Sequence, residues 1–493
     1  YTEVWHGGFF HHKDLLCLLE KGQMNINKII IVGGGTAGLT TALILKTRFE
    51  SVDIQIIKST QIGIIGVGEG TTEHWSEFMA MCGITQKELV CETDATFKFG
   101  VMFRDWTPKP YFHFVDRDQR YLIGQYELYY AYHISKGTSF QDMLSPLMWN
   151  NRVAPDSQVN QYHFNTLKLN DFLVKKCKEK KIKFTEDIIE DVKVTDKIEN
   201  LKGQKQTYSA DFYIDCTGFK KLLISKLNAK WKSFHLLLNE AIAFQTPDTK
   251  NYNCWTLAQA MDAGWMWRIP TYGRWGNGYV YNNNYINKDQ AKAEIEKTLG
   301  HNIEVAKNIK FQDGALDKCW VKNCAAIGLS AIFAEPLEAS SISVSLHQAF
   351  LLCDYLNNYS EKTIIKYNEE WSLICSNVRN FIAIHYLVNK NTPFWKNETV
   401  TFSPEFKEQL EYWKHHLPVV RDFQEAFLLF RNCNFILILY GIDYFNRKAI
   451  TQEFKSYPFY LQTGMQQKYK MYRERKLYNL FNHKDYLTRI REG

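Results

Sequence analysis

The clearest pattern near the start of the chain is Asn27 to Val32, a short run of β-branched apolar residues. Such a run predicts a strand buried on both faces. Gly33 to Gly38 forms a glycine turn, and the apolar stretch Leu39 to Leu45 predicts a helix after it. Val52 to Ile57 predicts the next strand, at the spacing of about 20 residues that a dinucleotide-binding βαβ unit requires. Alternation from Thr96 to Phe103 predicts one strand, on which periodicity alone turns Lys98 to solvent. Asn170 to Lys181 predicts a helix with a basic, solvated end. Lys183 to Thr195, Tyr208 to Asp215, Tyr279 to Tyr285 and Cys324 to Gly328 read as β structure.

Beyond Ile342 the pattern turns helical: Val344 to Leu356, Thr363 to Val388, Glu405 to Lys414, Phe423 to Phe430 and Met465 to Leu480. The expected class is therefore α/β. Residues 1–23 read as an extension or tag, 24–341 as a mixed α/β module with inserted β-rich segments, and 342–493 as a mainly helical module.

Composition narrows the function without naming it. The 493 residues carry 60 basic and 53 acidic side chains, a net charge of +7 spread along the chain. At 45% hydrophobic and 23% charged, the chain is globular rather than disordered. The balance lends no support to nucleic-acid binding. The basic stretch near Lys468 to Lys476 reads as a surface helix whose stems cover aromatic neighbours. Eleven scattered cysteines form no CxxC pair and no zinc spacing, so free thiols in a reducing, cytoplasmic setting are expected, with no metal. Phe435 to Tyr440 is apolar but far short of the ~20 residues that span a bilayer, so no membrane is expected. Abundant Lys, Asn and Ile is the usage of an AT-rich genome, which a phage or low-GC bacterium would have.

Five short motifs carry the chemistry. Gly33-x-Gly35-x-x-Gly38 lets backbone N–H groups approach a pyrophosphate at a helix start. Lys58 stands where a ribose-binding acid ends the second strand, and lysine cannot accept a hydroxyl hydrogen bond. It either meets a phosphate or faces solvent. Gly66-Val67-Gly68-Glu69-Gly70-Thr71 is a second glycine cluster, read alone as a flexible turn. Trp265 and Trp267 share one face of an extended segment, Trp265 to Pro270, and could simply pack together. Glu335 to Ser341 (EPLEASS) precedes a helix that its polar residues could cap. Lys98 lies between two phenylalanines in Phe97-Lys98-Phe99.

Together these motifs resemble the flavin-dependent halogenases of the tryptophan-halogenase type, and the resemblance covers nearly all the chain from Asn27 onward. The WMWRIP segment at 265–270 is the most specific match. The resemblance implies an FAD-binding Rossmann-like module with an inserted β-rich part and a C-terminal helical module. It implies FAD, used as FADH2, with O2 and a halide (chloride, bromide or iodide). A separate NAD(P)H-dependent flavin reductase would supply the reduced flavin, since no NAD(P)H domain is evident. The expected activity is halogenation of a small electron-rich aromatic, indole- or phenol-like, through hypohalous acid that moves along an internal tunnel.

By the same resemblance, FAD would be held by Gly33, Gly35, Thr36, Ala37 and Gly38, by Gly66, Val67, Gly68, Glu69 and Gly70, and by Gly328 and Leu337. Lys98 and Glu338 would be catalytic. The lysine would hydrogen-bond hypohalous acid or form a haloamine; the glutamate would orient the oxidant or accept the ring proton. Backbone N–H groups of Ser340 and Ser341 would bind halide, and Trp265 and Trp267 would keep substrate from the flavin. His113, Phe430 and Glu425 would contact substrate. Lys58 departs where flavin affinity is set, and Gly70 and Ala339 are small, tolerable changes; at the substrate pocket Val115, and Pro418-Val419 where the family carries a tyrosine pair, argue against free tryptophan. A flavin monooxygenase, a flavin-binding protein without turnover, a carrier-tethered substrate and a homo-oligomer remain open on the sequence.

Overall fold

A computed structural model describes residues 26–63, 69–114, 126–143, 150–153, 161–423, 427–474 and 480–493. The first strand, Lys28–Val32, is central in a six-stranded sheet. It pairs in parallel with Phe212–Asp215 on one side and Asp53–Lys58 on the other. Lys183–Glu186 and Cys324–Ala326 extend the parallel array, and Trp320–Val321 closes one edge antiparallel. Ile29, Ile30 and Ile31 are fully buried, as expected for a strand covered on both faces. Helix Thr36–Arg48 packs on this sheet and against helix Ser340–Leu356 and helix Thr166–Glu179.

Between the strands of this sheet the chain inserts a second, seven-stranded one. Its order is Val305–Lys310, Glu240–Pro247, Arg274–Tyr281, Gly264–Thr271, Thr256–Met261, Gly100–Arg104 and Tyr111–Phe114. All its pairs are antiparallel except Thr256–Met261 with Gly100–Arg104. The C-terminal third is largely helical: Glu361–Ile384, Pro404–Trp413, Asn432–Gly441, Arg447–Ser456, Phe459–Glu474 and His483–Glu492. One apolar core runs through sheet and helices, from Ile26 to Leu487. The mixed α/β architecture with a helical C-terminal region is the one expected.

Two expectations fail locally. Thr96 to Phe103 is not one strand: Thr96–Lys98 pairs with Gln161–His163, whereas Gly100–Arg104 belongs to the seven-stranded sheet. The switch occurs at Gly100, with φ 154°, where a Cβ would sit 2.2 Å from the His113 carbonyl oxygen. Only glycine allows that approach. The strand Thr96–Lys98 is buried on both faces, so alternation no longer separates inside from outside, and Lys98 is 2% exposed rather than solvated.

Phe423 to Phe430 is not a helix either, over its described residues. The Asn377 side chain satisfies the Phe430 backbone in both directions, donating to its carbonyl at 2.8 Å and accepting from its N–H at 2.9 Å. A side-chain amide thus replaces the helical partners. The helix begins instead at Asn432, and Phe435 to Leu439 of the apolar run are its buried body, with Tyr440 half-buried.

Candidate active site

The glycine turn sits where the first strand hands over to its helix. A Cβ on Gly33 would lie 2.2 Å from the Cys216 carbonyl oxygen, and one on Gly38 would lie 2.1 Å from the Gly33 carbonyl oxygen. Both glycines permit close backbone packing. Gly35 differs: a Cβ there would meet nothing within 4 Å. Gly35 is the N-cap of helix Thr36–Arg48, and no side chain caps that helix. Its first N–H groups, Thr36 and Ala37 among them, therefore face open space at the positive end of the helix. Gly328, at φ 71°, brings its loop against Ala37, where a Cβ would be 2.7 Å from the alanine Cβ. A cradle with open space and uncapped donors fits the pyrophosphate of a dinucleotide. Lys58 lays its stem over Gly34 and its ammonium over the Phe184 ring, so the strand end offers no acid to a ribose.

Two cavities lie deeper. The first, partly open to solvent, spans about 540 Å³ of space between atoms and is lined by Glu69, Gly70, Trp265, Trp267, Leu337, Ser341 and neighbours. The tryptophan rings lie 6.2 Å apart on one face of strand Gly264–Thr271. Room for Trp267 comes from its cross-strand partner Gly278, where a Cβ would fall 2.1 Å from the indole. Glu69 is tied to Arg274 at 2.5 Å. Burial pushes the Glu69 carboxyl upward, against the Arg274 charge. Gly66, Val67 and Gly68 lie outside the described residues.

The second cavity, about 320 Å³, is lined by Lys98, His113, Glu338, Phe430, Glu73, Gln161, Asn434 and others. Val101 and Glu338 line both cavities, so the two chambers meet across these residues. Lys98 donates to the Thr71 carbonyl at 2.7 Å. Burial pushes its ammonium down to about 8, while Glu338 and Glu73 pull the other way. Glu338 receives the His113 ring at 2.6 Å and the His385 ring at 3.2 Å. Burial would raise the Glu338 carboxyl, but the two histidines outweigh it and hold it down to about 2. Phe430 stacks on Phe381 at 3.9 Å. Glu425 lies outside the described residues.

Glu338 and Ala339 adopt consecutive left-handed conformations, φ 65° and 54°, immediately before helix Ser340–Leu356. Neither is glycine, so each costs about 1–2 kcal/mol. The turn points the Glu338 side chain at the histidines and leaves the helix start without a side-chain cap. The Ser340 hydroxyl there is buried without a hydrogen-bond partner. Uncapped N–H groups at a helix start suit an anion.

Motif reading missed Glu73, Gln161, Asn434 and His385, and had Thr71 only as the end of the second glycine cluster. Asn434 lies in the NxN stretch at 432–434, a signal that was present; His385 ends a long helix and carried none.

A helix start shaped for a pyrophosphate, and a neighbouring cavity that holds a buried lysine, are features a dinucleotide-dependent enzyme would need. Comparison makes the class specific. The tryptophan halogenase family profile matches residues 28–453. Tryptophan 6-halogenase SttH of Streptomyces toxytricini is 28% identical over 446 residues, covering 80% of this chain and 85% of that protein. Tryptophan 7-halogenase RebH of Lentzea aerocolonigenes is 27% identical over 474 residues, covering 85% and 89%. The crystal structure of a tryptophan halogenase from Shewanella frigidimarina superposes with a TM-score of 0.83 at 26% identity, covering 96% and 99% of the two chains.

The chain belongs to the tryptophan halogenase family. It is a flavin-dependent halogenase, an oxidoreductase that uses FADH2, O2 and halide to halogenate an aromatic compound. The family takes its reduced flavin from a separate reductase. No described helix is long and apolar enough to cross a membrane.

Proposed function

We propose that Lys98 receives hypohalous acid and directs its halogen onto a small indole- or phenol-like ring held in the second cavity. FADH2, supplied by an NAD(P)H-dependent reductase, would give two electrons to O2 and halide the other two, so that one oxygen atom leaves as water and the other as hypohalous acid. Gly33, Gly35, Thr36, Ala37, Gly38, Gly328 and the Glu69–Gly70 segment would hold the flavin. The uncapped helix start at Ser340 and Ser341 would hold the halide beside it. Trp265 and Trp267 would wall the flavin chamber against the substrate.

Hypohalous acid would then pass the Val101–Glu338 boundary. The Lys98 ammonium donates to its oxygen, which makes hydroxide a better leaving group. The ring carbon takes the halogen, the O–X bond breaks, and the ring proton leaves with the hydroxide as water. His113 and Phe430 would border the ring; Glu338 sets the charge around Lys98. The observation that supports this reading is that Lys98 lines a cavity sharing Val101 and Glu338 with the cavity of Trp265 and Trp267.

The test is a bromination assay with FAD, a flavin reductase, NADH, air and a mixed panel of indoles, phenols and tryptophan, read by mass spectrometry. Lys98→Ala runs beside it to subtract freely diffusing oxidant. Bromine isotope doublets that require Lys98 support the proposal. Oxygenated products, or doublets unchanged by Lys98→Ala, overturn it.

A further inference from the structure

The hydrogen-bond partners around Glu338 fix where the protons sit. Asn434 Oδ1 accepts from the Arg431 backbone N–H at 2.7 Å. That contact can only be made by the amide oxygen, so the amide NH2 faces His113 Nε2, at 3.0 Å. His113 Nε2 is therefore the acceptor, and its ring proton is on Nδ1, donated to Glu338 Oε2 at 2.6 Å.

His385 is different. Its Nδ1 lies 2.8 Å from the Phe381 carbonyl, and its Nε2 lies 3.2 Å from Glu338 Oε1. Both partners are acceptors, and a neutral imidazole has one N–H. The pair needs one proton more than a neutral ring beside a carboxylate. The ring is wholly buried against Phe103 and Trp106, so water cannot repair the mismatch. His385 also caps the C-terminal end of helix Glu361–Ile384, where exposed carbonyls favour a positive charge.

We propose that Asn434 and His385 are positioning residues for halogenation: Asn434 fixes His113 as an Nδ1–H donor, His385 is held as an imidazolium, and together they lock Glu338 as a carboxylate beside Lys98. The inference rests on the reading of Lys98 and Glu338 as the working pair. Each carboxylate oxygen already receives a donor. Glu338 then acts as a fixed countercharge that keeps Lys98 an ammonium, rather than as the acceptor of the ring proton. Among the described residues, the other ionisable groups facing the cluster are Lys98, Glu73 and the Tyr111 hydroxyl, with His163 beside Lys98 pushed well down by burial. The two carboxylates offset the two cations, and the tyrosine stays neutral because burial pushes its hydroxyl well up.

The test uses the full chain labelled with ¹⁵N-histidine, with ring-nitrogen resonances read by NMR between pH 6 and 8 and assigned through His113→Gln and His385→Gln. The expected pattern is two protonated nitrogens on His385 and a single Nδ1 proton on His113. Glu338→Gln should convert His385 to a neutral ring, and Asn434→Asp should add a proton at His113 Nε2. A neutral His385 in the unsubstituted protein, or a His113 proton on Nε2, overturns the assignment.

The rate arm is separate. His385→Gln should lower kcat by at least about tenfold, as outer partners that orient a working group commonly do. KM for the aromatic should stay within about twofold, and a new acid limb should appear as Glu338 loses its opposing charge. Asn434→Ser serves as a second variant should His385→Gln fail to fold. A variant with the parental rate and pH profile overturns the positioning role. Full turnover by Lys98→Ala would instead overturn the reading beneath it, while the ¹⁵N pattern would remain.

Discussion

Lys98 Nζ donates a 2.7 Å hydrogen bond to the carbonyl of Thr71, the last residue of the second glycine cluster. Strand Thr96–Lys98 pairs with Gln161–His163, and that strand in turn receives Gly70 and Thr71 on its flank. Gly70, which lines the first cavity, and the lysine of the second cavity are thus parts of one small β assembly.

The first prediction concerns the ionisation of Lys98. Burial brings its ammonium down to about 8. If the charged form is the donor, halogenation is fully supported below that value and lost as pH rises through it. The pH profile of kcat/KM for the aromatic should show an alkaline limb near 8. A rate that rises through that region would favour attack by the free amine and a haloamine route. Lys98→Met should cost roughly 10²–10³-fold in kcat, the range for a lost transition-state donor, with FAD affinity retained.

Gly35 gives a sharper test of the cofactor cradle. A Cβ there meets nothing within 4 Å, and φ is −79°, so a side chain is accommodated without strain. Gly35→Val should leave the melting temperature within a few degrees and still weaken FAD at least about tenfold, by occupying the pyrophosphate's space. Equilibrium dialysis of FAD together with thermal melts would check both halves. Loss of the fold, or unchanged FAD binding, would place the pyrophosphate elsewhere.

Glu335 predicts a pH dependence of stability. Its carboxylate is 1% exposed, and Tyr386 donates to both oxygens at 2.6 and 2.8 Å. Burial outweighs these donors and pushes the acid up to about 8. The folded state therefore holds a proton that the unfolded chain releases near 4.5. Stability should fall as pH rises from about 4.5 to about 8. Glu335→Gln removes this dependence, so its melting temperature should exceed the parent's at pH 8 and approach it at pH 5.

Trp267 depends on Gly278 opposite it. A Cβ at that glycine would meet the indole at 2.1 Å and the Ile242 carbonyl at 2.6 Å. Gly278→Ala must move the indole or part the strands, at a cost of roughly 1–3 kcal/mol. The expected result is a lower melting temperature, altered tryptophan fluorescence and reduced halogenation. An unperturbed emission spectrum would show that the strand yields instead of the ring.

The sequence by itself settled a good deal. Asn27 to Val32, the three glycines and Val52 to Ile57 gave the βαβ unit, because strand, turn and helix are local and each residue's preference agrees with its neighbours. The WMWRIP segment and the EPLEASS turn pointed to the family, because short motifs keep their order along the chain. What the motifs could not carry was the environment of each side chain. Periodicity turned Lys98 outward; the structure buries it, because two sheets and the helical layer close over a strand of three residues. Nothing local marks His385 as the second partner of Glu338, from 47 residues further along the chain, or Asn434 as the group that orients His113 from 321 residues away. Those contacts depend on how the helical layer docks against the inserted sheet. Tertiary packing alone brings these polar groups together in a buried site, where each finds its partner within the protein.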